Sequence, residues 1–290
     1  MSKLTRLVAA VLVGAMTLPV AAAAQGKKQI TIGWTAWSDA EAVTQITKQI
    51  LQQKMGYKVK LELLAIALQY SALAKGDIDM MEMAWLPKTH ADYYAKVKNK
   101  VEDLGVLYGG ASLGWVVPTY VPKSKLNSIP DLKKPAVREK LGSKIIGIDP
   151  GAGLMRLSKK AVKEYGLTHY NLVASSGAGM TAALKRAYTR KKWIVVTGWR
   201  PHWMFGAFKL RYLKDPKNAL GGKEQIHALA RKGFKKDDPK VAAFISRINI
   251  PLKTLEQVMY NAQQTSYPKA AAKFIKNHPK MVNYWITGKK

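Results

Sequence analysis

A chain of 290 residues with 48% hydrophobic content can bury a large core, which argues against disorder and favours two lobes or domains. The formal charge of +30 rests on Lys and Arg spread along the whole chain, with no dense basic block and no RNA- or DNA-reading motif, so a nucleic-acid partner is not expected. With no cysteine there is no disulfide framework, no thiolate metal site and no lipid-modified cysteine.

Lys3 and Arg6, an apolar run from Leu7 interrupted by Thr17 and Pro19, and then Ala22 to Ala24 follow the order of a secretory signal peptide. Residues 1–24 are expected to be removed, leaving a soluble periplasmic protein. A retained membrane anchor is the alternative, weakened by Pro19 and by the short apolar run. The sparse carboxylates suit an acidic exterior, because little charge then changes as pH falls.

Gln29 to Thr35 reads as a buried strand, followed by a helix with Val43, Ile46, Ile50 and Leu51 at helical spacing and Asp39 as its expected cap. Val59, Leu61 and Leu63 alternate as a strand, a short helix ends at Gly76, and the strand Ile78 to Trp85 stops at Pro87. This β-α-β-α-β alternation implies parallel strands with helices on the faces. Tyr93 to Val101 is predicted as helix, and Gly114 to Pro122, with two prolines around a short apolar strand, as a stiff crossing between lobes.

A second α/β series follows. It comprises a helix after Asp131, a strand at Lys144 to Ile148, helices from Leu154 to Tyr165 and from Met180 to Tyr188, and strands near Tyr170 to Ala174 and Trp193 to Trp199. The turns Asp149 to Gly153 and Ser175 to Gly179 precede helices, so their free N–H groups can hold an anion, but the signal is weak and plain tight turns explain them better. After a return strand at Lys209 to Leu213 the last third reads as mostly helical and packs back on the first lobe.

The five histidines show no metal-ligand spacing, and no nucleophile elbow or zinc-protease motif occurs, so neither an enzyme nor a cofactor is expected. Asp77, Asp79 and Glu82 fit a turn and the outer face of a strand better than acid/base pairs. At Val195 to Phe205 a strand runs into a loop carrying Trp199, Arg200, His202 and Trp203. Trp faces attract a quaternary ammonium and the polar groups suit a carboxylate, while two core tryptophans beside surface charges explain the same residues without a ligand.

Five segments, in this order, carry a resemblance: Ile32-Gly33-Trp34-Thr35-Ala36-Trp37, Ala84 to His90, Gly114-Trp115-Val116-Val117-Pro118, Gly147 to Gly153 and Thr197 to Phe205. Together they make the chain similar to the binding proteins of ABC importers for glycine betaine, proline betaine, carnitine and choline. The resemblance implies an α/β, two-lobed periplasmic binding protein of type II, each lobe a sheet flanked by helices, with a ligand cleft between. Lobe I is expected over 27–117 and 212–290 and lobe II over 118–211.

It implies an aromatic cage for a trimethylammonium head, with Trp85 and Trp199 foremost, then Trp37, Trp34 and Trp115. The carboxylate is expected on the backbone of Gly33, Gly151 or Gly153, with His202 in reserve or bracing the loop. Arg200 should point away from a cation. Glycine betaine or a similar zwitterion is the expected ligand, an inner-membrane ABC permease the partner, and the protein a monomer. Choline, carnitine or a larger zwitterion, an exported α/β enzyme and a polyanion binder are the rival readings. One departure stands out: relatives carry another aromatic before the C-terminal helices, where this chain reads Arg247-Ile248-Asn249-Ile250-Pro251-Leu252, leaving the third cage wall open.

Overall fold

The computed structural model describes residues 28–289, so the expected signal peptide lies outside the described residues. The opening alternation forms as predicted. Strand β1 (Gln29–Trp34) lies between β2 (Lys58–Leu63) and β3 (Met80–Leu86), parallel to both, with helices α1 (Ser38–Gln53) and α2 (Ile66–Lys75) as the crossovers. Every residue of β3 is buried, as a strand covered on both faces requires. Gly76 ends α2 at φ 83°, a left-handed cap whose N–H reaches the carbonyls of Ala72 and Leu73.

After α3 (Ala91–Val97) comes the element that joins the two halves. Strand β4 (Val101–Pro118) is 18 residues long. It pairs antiparallel with β9 (Lys223–Arg231) from Val101 to Ser112, then with β7 (Val196–Arg200) from Ser112 and with β8 (Leu210–Tyr212) at Val116 to Pro118. One strand thus belongs to both halves and changes partners at Ser112.

The strand starts well before the predicted crossing. Gly105, Gly109 and Gly110 accompany three register shifts against β9 that bend the strand without ending it. Gly105 and Gly110 have φ of 118° and 73°, which favours glycine there. β9 was not predicted at all. Its sequence, KEQIHALAR, is rich in helix formers, yet it is inserted antiparallel between β3 and β4, with Glu224, Ile226 and Ala228 facing inward.

The second half contains α4 (Pro135–Leu141), β5 (Lys144–Ile146), α5 (Gly153–Glu164), β6 (Asn171–Val173) and α6 (Gly177–Thr189), with α7 (Met204–Ala207) after β7. Here β5 lies between β6 and β7, parallel to both. The full strand order is β2-β1-β3-β9-β4-β7-β5-β6, with β8 on β4. Parallel pairing therefore holds within each half, while the crossing strands are antiparallel.

The C-terminal helices α8 (Phe234–Asp237), α9 (Pro239–Arg247), α10 (Leu252–Gln264), α11 (Tyr267–Asn277) and α12 (Pro279–Thr287) return to the first half, α10 and α11 against α1 and α9 against β4. Ile248 and Ile250, where an aromatic was missed, are 1% exposed and belong to this packing, and Arg247 donates to the carbonyls of Trp285 and Ile286 at the end of α12.

Candidate functional site

The carboxyl ends of β1 and β3 point at the amino end of α5 and at β7, and between them lies a narrow cavity of about 20 Å³. From the first lobe it is lined by Trp37, Trp85, Thr89 and His90, and from the second by Ile148, Ala152, Gly153, Leu154 and Trp199, with Leu113 of β4 between them. No Lys, Arg, Asp or Glu is among these residues. A roomier open groove runs between Lys54–Tyr57 and Pro239–Arg247 on the first lobe; its lining of Lys28, Lys54, Lys240 and Arg247 repels a cation.

Three indoles meet at the cavity, each less than 7% exposed. Two have their N–H groups satisfied across the lobes: Trp37 Nε1 donates to Asp149 Oδ2 and Trp199 Nε1 to Asp39 Oδ1, both at 2.9 Å. These bonds fix the ring planes at the seam between lobes.

Asp39 was expected to cap α1. The cap position is held by Trp37, and Asp39 lies wholly buried in the first turn, where it also accepts from Tyr108 Oη at 2.8 Å. Burial raises its pKa to about 6 against the lowering effect of the Tyr108 and Trp199 hydrogen bonds. Glu82, expected on an outer face, is buried as well. It accepts from Thr47, its second oxygen has no partner, and burial pushes it to about 7.

His90 is buried beside Trp37, its Nδ1 accepting from the backbone N–H of Trp85 at 3.1 Å. Burial, assisted by the nearby Arg156 charge, lowers its pKa to about 3, so it stands neutral in the wall. His202 is lowered to about 3 by burial. It does not line the cavity: its ring meets Trp199 edge-on at 4.6 Å and its Nδ1 accepts from Met204 N–H at 3.0 Å, which makes it a brace for the loop.

Of the other expected residues, Trp115 is fully buried under α5, its Nε1 donating to Ser158 Oγ at 2.9 Å, and Trp34 is half-buried at the end of β1 without lining the cavity. Gly33 is a packing glycine, since a Cβ there would meet Ile78 at 2.5 Å. Gly151 offers its carbonyl to Tyr93 Oη at 2.7 Å across the seam. Gly153 does line the cavity, and Arg200 lies over Phe205 at 4.2 Å, outside it.

The profile of a family described as the substrate-binding domain of ABC-type glycine betaine transport systems matches residues 28–277. A glycine betaine/carnitine transport binding protein of Listeria monocytogenes, GbuC, is 41% identical over 153 residues, 52% of this chain and 51% of that protein, so the chain spans about half the length of this curated relative. Lactococcal OpuAC, solved closed and complexed with glycine betaine, superposes with a TM-score of 0.83 at 37% identity over 90% of this chain and 100% of that one. An ABC-transporter choline binding protein in complex with choline gives 0.82 at 27% identity over 90% and 92%. The expected two-lobed α/β architecture is the one these structures share with this chain.

Proposed function

The chain belongs to the family of substrate-binding domains of ABC-type glycine betaine transport systems, and from that premise we propose that it closes its lobes on glycine betaine and delivers it to an inner-membrane ABC permease. The observation that carries this reading is the convergence of Trp37, Trp85 and Trp199, drawn from both lobes, on one narrow cavity that, among the described residues, no Lys, Arg, Asp or Glu lines. Each ring face contributes roughly 0.5–2 kcal/mol toward a desolvated cation, so three rings and a satisfied carboxylate reach micromolar affinity, about 8 kcal/mol.

Trp37 takes the place of the aromatic absent at Ile248 to Leu252. The ligand carboxylate belongs at the amino end of α5, where Gly153 and Leu154 of the first turn line the cavity and the helix dipole favours negative charge. A primary ammonium is excluded by chemistry, because its N–H groups lose their hydrogen bonds among carbon walls. The protein acts as a periplasmic monomer exported by the leader at residues 1–24.

Choline is the second reading. Asp39 places a buried carboxyl behind Trp199, and no Lys or Arg lines the cavity, an electrostatic setting that also suits a ligand with no anionic end. Calorimetric titration with glycine betaine, choline, carnitine and proline tests both. Tightest binding of glycine betaine supports the main reading, tightest binding of choline the second, and failure of every trimethylammonium compound to bind overturns them together.

A further inference from the structure

Two groups outside the cavity hold the turn that carries its wall, and they hold it from opposite sides. On the N–H side, the buried carboxylate of Glu224 accepts from Lys88 N (3.2 Å), Thr89 N (3.1 Å) and Thr89 Oγ1 (3.0 Å). Glu224 pairs with Ala111 of β4, so this carboxylate is rooted where the crossing strands run between the lobes. This fixes the Lys88–Thr89 peptide unit with its carbonyl turned toward the other lobe; the Thr89 carbonyl belongs to the next unit, whose His90 N–H donates to Trp85 O at 2.9 Å.

On the carbonyl side stands Arg156, on α5 of the second lobe. Its Nη2 donates to Thr89 O at 3.1 Å and Lys88 O at 3.4 Å, and its Nη1 pairs with Asp92 Oδ2 at 3.1 Å. Among the described residues these are its only hydrogen-bond and ion-pair partners, and all three belong to the first lobe. A guanidinium bonded wholly across the seam gives its own lobe no polar support. Its bonds exist when the lobes are together and vanish when they part.

We propose that Arg156 is the latch of the closed state: it grips the Lys88 and Thr89 carbonyls of the turn that Glu224 anchors and so governs how long a ligand stays, without touching that ligand. Arg156 is a positioning residue, and Asp92 is its minor, exposed partner. The assignment rests on the reading that lobe closure traps the ligand, and it adds to that reading a control on release separate from the cage. The planar fork matters, because a lysine in its place reaches one carbonyl at a time.

The experiment is stopped-flow dissociation of glycine betaine from the full chain and from Arg156→Ala, Arg156→Lys and Asp92→Asn, with melting of each ligand-free protein. Loss of two charge-assisted bonds to carbonyls predicts dissociation about tenfold to a hundredfold faster for Arg156→Ala, an intermediate rate for Arg156→Lys and a change of about threefold or less for Asp92→Asn. Association and the ligand-free melting temperature should stay at wild-type values, since among the described residues no polar partner of Arg156 lies in its own lobe. Wild-type dissociation from Arg156→Ala overturns the latch, as does a fall in ligand-free stability that matches the loss of affinity.

An independent readout uses the absence of native cysteine. Spin labels at Gln52→Cys and Lys185→Cys, exposed positions on opposite lobes, report the interlobe distance. With glycine betaine present, removal of Arg156 should shift that distance distribution toward longer values, and an unchanged distribution overturns the latch. Failure of the wild-type protein to bind any trimethylammonium compound instead overturns the functional reading, whatever the distances show.

Discussion

Gly153→Ala separates binding from folding. An ideal Cβ at Gly153 would lie 2.3 Å from Thr89 O, 2.7 Å from Thr89 Cγ2 and 3.0 Å from His90 Cδ2, where real Cβ atoms essentially never come below 3.0 Å. Thr89 is held by Glu224 through its N–H and hydroxyl, so the wall cannot withdraw freely. The helix itself gains, because Gly153 is the first residue of α5 and Ala is favoured over Gly in a helix by up to about 1 kcal/mol. All three of the clashing atoms belong to the first lobe, so with the lobes apart the clash is gone.

Closure must therefore stop short, and the bonds spanning this point weaken: Tyr93 to the Gly151 carbonyl and Arg156 to the Thr89 carbonyl. One neutral and one charge-assisted hydrogen bond together amount to about 2–4 kcal/mol, or roughly thirtyfold to a thousandfold in Kd. Calorimetry with glycine betaine measures that loss, and ligand-free melting should show no loss of stability. A wild-type Kd in Gly153→Ala would refute the account of closure, because the lobes would then need no contact at this point.

Trp85→Ala and Trp199→Ala should each weaken glycine betaine binding at least tenfold while the fold survives, whereas Trp115→Ala, a deletion under α5, should cost about 3–5 kcal/mol of ligand-free stability; calorimetry and denaturant melts distinguish the two classes. The buried titratable groups predict an unusual response to acid. Asp39 and Glu82, raised to about 6 and about 7, keep protons in the folded state that the unfolded chain releases, so their contribution to stability grows as pH falls from about 7 toward 4. His90 and His202, lowered to about 3, act oppositely, and their contribution is lost as pH falls from 6.5 toward 3. The two pairs nearly cancel between pH 7 and 5. Melting of the wild type should be almost flat there, and Glu82→Gln, which removes one compensating acid, should lose about 2 kcal/mol more across that interval. Identical pH slopes for the two proteins would contradict this balance.

The sequence read clearly wherever local pattern and tertiary role agreed. The alternating strands and helices of the first lobe form as predicted because each strand is bounded by its own punctuation, Gly56, Gly76 and Pro87. β4 and β9 were legible in part or not at all: glycines at bulges break the apolar pattern of β4 before Gly114, and a run of Glu, Gln, Ala and Leu looks like helix until two strands flank it. Trp85 and Trp199 were singled out by their motifs, and the fold brings both to the cavity. Trp115 was not separable from them, since Leu113 and Trp115 share one face of β4 and only the position of α5 decides that Leu113 reaches the cavity while Trp115 is covered. Asp39 was hidden more deeply. A carboxylate in a first turn already has an explanation in the helix dipole, and its bond to Trp199, 160 residues away, exists only in the fold.

The central claim is that a cavity of carbon faces selects a fully methylated ammonium. Its most direct measurement is the Kd of the wild-type protein for glycine betaine, dimethylglycine, sarcosine and glycine, which share a carboxylate and differ in methyl groups. The account predicts affinity falling at each step, because every N–H regained is a donor the indoles cannot satisfy. Equal affinity along the series, or tighter binding of glycine, would contradict it.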